Sequence, residues 1–451
     1  MKKVLILAYD FPPYVSIGGQ RPYNWYKHFK EYGLYPIVVT RQWQNEHKNH
    51  FDYISKSQSN NTIIEETTYG TIVKTSYSPN LGNRLMLRYG DKKFILIRRL
   101  ISFYYEVFQF IFRVGPKKNL FLEADKYLKN NKVDFILATG EPFVLFHYAN
   151  KLSEKYNIPW IGDYRDPWSL NTENLVSPLL KLWFDFQEKS LLKKMNLIIT
   201  VSDYMAKKID YYNSNEVPIE IIPNGYDSDS IEWIKSIAQN GDRLTLSFAG
   251  IIYPYHPYHD FLKTLEDFSL ANSNFQFNLN FYGVNIENDL KLLINKEFPR
   301  MKESTKFFPK LPNQKLLVEL ARSNVLILFN DYSFLGTKIY DYLGVNRLIL
   351  LCFTNDENAL KLKKQYFPMA DEAKFSNQLQ QDLIQYTNSG IAVKDTEELK
   401  RIFYDLHNKF MNERMMRIES VHTELYSRKY QTEKLAKVIL EEIKKLGTNF
   451  T

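Results

Sequence analysis

The chain has 451 residues, 44% of them hydrophobic and 24% charged, with a formal net charge of +8, 17 glycines and one cysteine. That length suits two domains of about 200 residues better than one, and the balance excludes disordered, collagen-like and disulfide-stapled classes. Tyrosine and phenylalanine number 32 and 31, enough for two cores with aromatic surface left over.

Met1-Lys2-Lys3 leads into an apolar run, Val4–Ala8, that breaks at Tyr9-Asp-Phe-Pro-Pro13. Five residues are too few for a signal peptide, so the run reads as a first strand. A loop with Gly18-Gly19 follows, then a helical stretch from about Pro22 to Tyr32 with Trp25, Tyr26 and Phe29 on one face, stopped by Gly33. Ile37-Val38-Val39 is the next strand, and the unit predicts a parallel sheet with a right-handed crossover. Strands at Phe135–Ala138, Trp160–Ile161 and Leu197–Val201 alternate with helices around Phe143–Tyr156 and Leu179–Lys194. The turn-rich Pro223-Asn-Gly-Tyr-Asp227 marks a junction. Beyond it come strands Leu244–Ala249, Phe277–Tyr282, Val325–Phe329 and Leu348–Phe353, with helices Phe261–Ala271, Gln314–Arg322 and Thr337–Leu343. From about Asn412 to Leu446 one or two long charged helices close the series. The pattern predicts two doubly wound α/β domains, 1–225 and 226–411, with helices in 412–451 packing back on the first. Ligands of such sheets bind at the carboxyl ends of the strands.

No window of 18 uncharged apolar residues exists, so no bilayer span is predicted. Cys352, inside Leu348–Phe353, reads as a buried core thiol, consistent with cytoplasmic residence. The positive charge is uneven: Leu81–Asn119 holds nine basic and two acidic residues around a dense apolar and aromatic run that includes Phe94–Ile97, Leu100, Phe103 and Phe108. That combination suits an anionic membrane surface. A core helix with a solvated basic edge fits the same pattern. Nucleic acid is disfavoured, because the apolar part is too continuous for a stacking groove.

Common catalytic signatures are absent: there is no G-x-S-x-G elbow, no phosphate-loop lysine motif, and no G-x-G-x-x-G after the first strand. His256 and His259 make a poor zinc site without cysteines or a paired helix, and no metal is expected. Asp227-Ser-Asp229 reads as turn chemistry. Gly18, Gly19, Gly250 and Gly283 all follow strands in a glycine-poor chain. As a set they fit a phosphate-bearing ligand held on backbone and helix N-termini, although each alone fits ordinary turn geometry. Phe334–Gly344 is the most informative stretch: Lys338 and Asp341 share a helix face, with Gly336 and Thr337 at its positive end. A carboxylate there suits a ribose diol, and a lysine suits a diphosphate. An ordinary Lys/Asp surface pair would give the same spacing.

In order and spacing, Tyr9–Pro13 with Gly18-Gly19 and Arg21-Pro22, Thr139-Gly-Glu-Pro142, Ile158–Trp168, Ile199-Thr-Val-Ser202, Ile222–Asp227 and Thr337–Asp341 together resemble the family 4 retaining glycosyltransferases, which have the GT-B fold. Asp163-Tyr-Arg-Asp-Pro-Trp168 looks like a subgroup active in bacterial surface-polysaccharide assembly. The resemblance implies two Rossmann-like domains facing a central cleft. The C-terminal one would bind a nucleotide-diphosphate sugar and the N-terminal one a glycan or lipid-linked glycan acceptor, with transfer retaining configuration and needing no metal or other cofactor. The family's second signature glutamate matches Asp341. The first falls on Ser333, a departure, with Asp331 two residues away, and its first C-domain cation falls on Ile251. Lys338 is then the remaining cation for the diphosphate, with His256 as a second helper.

The implied donor contacts are Gly18, Gly19, Gly250, Gly283, Ser333, Thr337, Lys338 and Asp341. Asp163, Glu141 and Lys338 are the catalytic candidates, Asp163 being the one expected to face the acceptor, and Arg165 and Asp166 line the cleft. Arg165 and Asp166 would equally serve as a loop-fixing ion pair. The expected location is cytoplasmic, peripheral on the inner membrane face, with no nucleic acid partner. A nucleotide-sugar 2-epimerase of the same fold, which would convert a donor without an acceptor, and a non-catalytic membrane-attached binding module are the alternatives.

Overall fold

The computed structural model describes residues 1–14, 16–44, 51–170, 177–214, 216–332, 335–366 and 378–448. The chain divides into two compact units, Met1–Pro223 with Gln431–Thr451, and Asn224–Tyr430.

The first unit is built on β1 (Lys2–Leu7), β2 (Leu34–Arg41), β3 (Ile63–Glu66), β4 (Thr71–Thr75), β5 (Phe135–Thr139), β6 (Trp160–Tyr164), β7 (Leu197–Thr200) and β8 (Ile219–Ile221). Their order is β3-β4-β2-β1-β5-β6-β7-β8, parallel except for the β3–β4 pair. Alternate residues of β1 feed two cores. Leu5 and Leu7 join Ala124, Phe146 and Leu152 from the Lys118–Asn130 and Val144–Tyr156 helices. Val4, Ile6 and Ala8 meet Trp25, Tyr26 and Phe29 on the other face, together with Leu435, Ala436 and Ile439 of the Arg428–Thr448 helix. A strand buried on both faces has to be apolar throughout, which is why Val4–Ala8 reads as an unbroken run.

The second unit contains β9 (Leu244–Ala249), β10 (Phe277–Tyr282), β11 (Thr305–Phe308), β12 (Val325–Phe329), β13 (Leu348–Cys352) and β14 (Gly390–Val393). They form a wholly parallel sheet in the order β11-β10-β9-β12-β13-β14. Both sheets are doubly wound, as the alternation of strands and helices predicts. Each has a point where the strand order reverses, between β1 and β5 in the first and between β9 and β12 in the second. Loops leaving the carboxyl ends on either side of that point diverge and leave a crevice.

Three expectations are corrected. Gly18 and Gly19 lie in the first turn of a helix, Ile17–His28, because Ser16 caps it by accepting the Gly19 N–H at 2.9 Å. The charged tail is two helices separated by a loop, Thr396–Glu413 in the second unit and Arg428–Thr448, which enters the first. The basic segment is not a core helix: it forms helices Leu81–Tyr89 and Ile95–Phe108, and the second has no buried residue. Among the described residues no helix is long and apolar enough to cross a membrane.

Candidate functional site

The second unit gathers its chemistry at the reversal between β9 and β12. Gly250 follows β9 at φ +92° and Gly283 follows β10 at φ +59°, so both occupy the left-handed region that glycine alone adopts without strain. A side chain at Gly283 would also meet the Lys310 backbone at 3.1 Å. Turn geometry therefore accounts for these two glycines. Gly250 has a second role, because the Lys338 side chain passes over it: an added Cβ would lie 3.4 Å from the lysine Cε.

Lys338 opens the Lys338–Val345 helix after Thr337. Its ammonium lies 3.9 Å from the Phe248 ring centroid and 3.5 Å from the Ile251 carbonyl. Burial pulls its pKa down to about 8, with Asp331 opposing the fall. Asp331 sits at the end of β12 and is held on all sides: Oδ1 accepts from Tyr255 at 3.0 Å and His256 Nε2 at 2.9 Å, and Oδ2 accepts from Gln380 at 3.2 Å. Burial alone would raise this carboxyl, but His256, Lys338 and Tyr255 together hold it below the usual carboxylate range. His256 Nδ1 accepts from the Tyr253 N–H at 3.2 Å, which leaves the proton on Nε2 to donate to Asp331. Burial lowers the His256 pKa, favouring that neutral form. His259 instead faces Glu297 and Asp260, so the two histidines do not converge. Among the described residues no three His, Cys, Asp or Glu side chains gather as a metal site.

Asp341 lies one turn further along the same helix. It forms no ion pair with Lys338 and accepts no hydrogen bond from any described residue. Its pKa is raised to about 6 by burial, with Arg428 opposing and Asp227 adding to the rise. The helix is seated closely: a Cβ at Gly344 would fall 2.3 Å from Ile231 and 2.7 Å from the Tyr226 ring, and the Tyr342 hydroxyl accepts the Ala249 N–H at 3.1 Å. Among the described residues, a Cβ at Gly336 would meet only Asp331, at 3.6 Å. Ser333 lies outside the described residues. Asp331 cannot take its place in this arrangement, because its oxygens are already engaged inward. A recess of about 440 Å³, lined by the stacked Tyr282 and Phe308 rings with Leu311 and Lys315, borders the ends of β10 and β11; no spacing in the sequence points to it.

In the first unit, the loops after β1, β5 and β6 meet at the other strand-order reversal. Asp163 requires a correction. It is fully buried, and both its oxygens are taken, by Arg21 Nη2 at 2.8 Å and Thr139 Oγ1 at 2.8 Å. Arg21 also donates to the Ile222 and Pro223 carbonyls. Asp163 therefore anchors the helix that carries Arg21 to the end of β8, and no acceptor reaches it. Arg165 and Asp166 are not a simple loop-fixing pair either: Arg165 donates to the Gly140 and Glu141 carbonyls, and its guanidinium packs on Gly18. A Cβ at Gly19 would press on the Asp10 backbone at 3.3 Å. Internal packing thus explains both glycines. Glu141 and Asp166 are exposed beside Arg165. Asp10, not singled out from the sequence, has one carboxylate oxygen buried without a partner, and burial raises its pKa against the pull of Ser16 and Arg165.

Residues 75–230 match the model of Glycosyltransferase Family 4. No curated protein sequence matches the chain. Among solved structures, it is similar to an alpha,alpha-trehalose-phosphate synthase (UDP-forming) from Burkholderia xenovorans, with 9% identity and a TM-score of 0.55 over 98% of this chain and 100% of that one. A glycosyltransferase from Rickettsia africae gives 12% identity and 0.55 over 98% and 99%. The catalytic domain of starch synthase IV from Arabidopsis thaliana, bound to ADP and acarbose, gives 11% and 0.53 over 98% and 99%. At these identities the likeness is one of fold: two parallel-sheet, Rossmann-like units, as in GT-B glycosyltransferases.

Proposed function

We propose that the chain is a retaining glycosyltransferase that moves a sugar from a nucleotide-diphosphate sugar to a hydroxyl of a glycan acceptor, in bacterial surface-polysaccharide assembly. The observation that carries the reading is Asp341: a half-buried carboxylate that accepts no hydrogen bond from any described residue, one helical turn beyond a cation at a helix N-terminus. A carboxylate left open on this face is a free acceptor, and the two hydroxyls of a ribose are donors of the right kind. Lys338 and the start of its helix then face the diphosphate. As the anomeric C–O bond breaks, its electron pair passes to the diphosphate, whose growing charge the ammonium and helix N-terminus stabilise without a metal. The acceptor hydroxyl attacks from the same face and gives its proton to an oxygen of the departing diphosphate, so configuration is retained. In the first unit Asp10, Glu141 and Asp166, grouped around Arg165, are the polar groups for the acceptor. The Family 4 match over residues 75–230 supports the same class, and the UDP-forming and ADP-bound neighbours support a nucleoside diphosphate leaving group. A cytoplasmic enzyme peripheral to the inner membrane face, using a lipid-linked acceptor, completes the proposal.

The test is a thermal-shift screen of nucleotide sugars, followed by transfer and hydrolysis assays with the best binder. Asp341→Asn should weaken that donor about 10- to 100-fold. Sugar transfer left intact in both Asp341→Asn and Lys338→Ala would overturn the site.

A further inference from the structure

The Ile95–Phe108 helix has one occupied side and one bare side. Inward, Ile101 lies against Gly82, and Arg98 donates to the Asp91 and Lys93 carbonyls. Outward, Leu96 and Leu100, one turn apart, and Phe103 and Tyr104, together one turn further on, are 74%, 71%, 40% and 44% exposed. The Pro178–Leu192 helix repeats the pattern, with Leu179, Leu182 and Phe186 at 68%, 67% and 62%. The two helices are linked through aromatic rings: Phe110, just past the first, stacks on Trp168 at 5.6 Å, and Trp168 lies 6.2 Å from Phe184 on the second. Scattered exposed leucines need no explanation, but two apolar stripes on linked elements do.

Charge selects what covers them. Lys92, Lys93 and Arg99 are exposed beside the first stripe, within the segment that holds nine basic residues against two acidic ones. A second copy presenting this face would set like charge against like. A surface that is apolar below and anionic above satisfies both features. We infer that this face of the first unit docks on an anionic lipid bilayer, the two stripes entering the acyl boundary and the basic side chains meeting lipid phosphates. The inference rests on the peripheral-membrane part of the proposed function and names the surface that would carry it; its failure would leave the transferase site, tested by donor binding and transfer, untouched.

The full chain is sedimented with phosphatidylcholine vesicles, with or without phosphatidylglycerol, at low and high salt. It should co-sediment with the anionic vesicles and be released by salt. Lys92→Ser and Lys93→Ser should each weaken partition roughly fivefold. Leu96→Glu with Leu100→Glu should weaken it more than about tenfold, with unchanged circular dichroism and melting temperature because both sites are solvent-facing. Leu182→Glu with Phe186→Glu should do the same, and partition unchanged by that pair would overturn the part of the second stripe. Equal binding to neutral vesicles, no binding to either, or binding indifferent to the Leu96/Leu100 pair would overturn the inference. So would a vesicle-free dimer that the same pair converts to monomer, since the occupant would then be a second copy.

Discussion

Lys338 offers a test in which function and stability pull in opposite directions. Its fall from the ordinary lysine value of 10.5 to about 8 sets an upper bound of about 3 kcal/mol on what folding costs the ammonium form, because the side chain keeps some contact with water. Lys338→Met keeps the stem and removes that cost. It also forfeits the contact with the Phe248 ring, worth about 1 kcal/mol, and the field on Asp331, which keeps its hydrogen bonds from Tyr255, His256 and Gln380. The net expectation is a gain of about 1–2 kcal/mol at neutral pH, a rise of about 4 °C in the melting of a unit this size by calorimetry. The sign with pH follows from linkage. Below pH 8 the lysine is charged in both states and its cost is fully present. Between 8 and 10.5 the unfolded chain binds more protons than the folded one, so the wild type gains stability and the advantage of the variant shrinks towards zero. The same substitution should weaken nucleoside diphosphate binding by on the order of thirtyfold. A variant less stable than wild type at pH 7, or a difference that stays constant from neutral pH to beyond the lysine value, would refute the reasoning.

Donor binding should follow a bell in pH. It requires Asp341 ionised, above about 6, and Lys338 charged, below about 8; isothermal titration across that range should peak near neutrality and fall on both limbs. Asp163→Asn should cost about 3 kcal/mol, read from the urea midpoint, because it strands the buried Arg21 guanidinium. Where the variant remains folded it should retain sugar transfer, an outcome opposite to that expected of an acceptor-facing catalytic group.

How legible these features are in the sequence depends on how local their causes are. Val4–Ala8 and Leu244–Ala249 stand out because a two-sided burial demands apolar residues at every position, whereas short edge strands such as β3 and β8 carry mixed side chains and give no run. Lys338 and Asp341 are readable as one helix turn. Their separate surroundings are not, since Asp331 meets His256 across 75 positions and Gln380 across 49. Asp163 looks like a cleft residue because it ends a strand, and only its partner Arg21, 142 positions earlier, shows that it is spent internally. The Gly18-Gly19 pair reads as a helix breaker, and the Ser16 cap overrides that preference.

The Arg428–Thr448 helix has a consequence for how the protein is made. From Gln431 it belongs to the first unit, where Leu435, Ala436 and Ile439 close the core around Val4, Ile6 and Phe29, and Lys434 donates to the Ile221 carbonyl at 2.8 Å. On the ribosome, the portion begun first is therefore the later one to be finished. Its apolar seat waits while about 200 intervening residues are translated, on the order of 10–40 s. During that interval the nascent chain carries an open hydrophobic groove that a chaperone would occupy and that only its own distal helix can permanently fill.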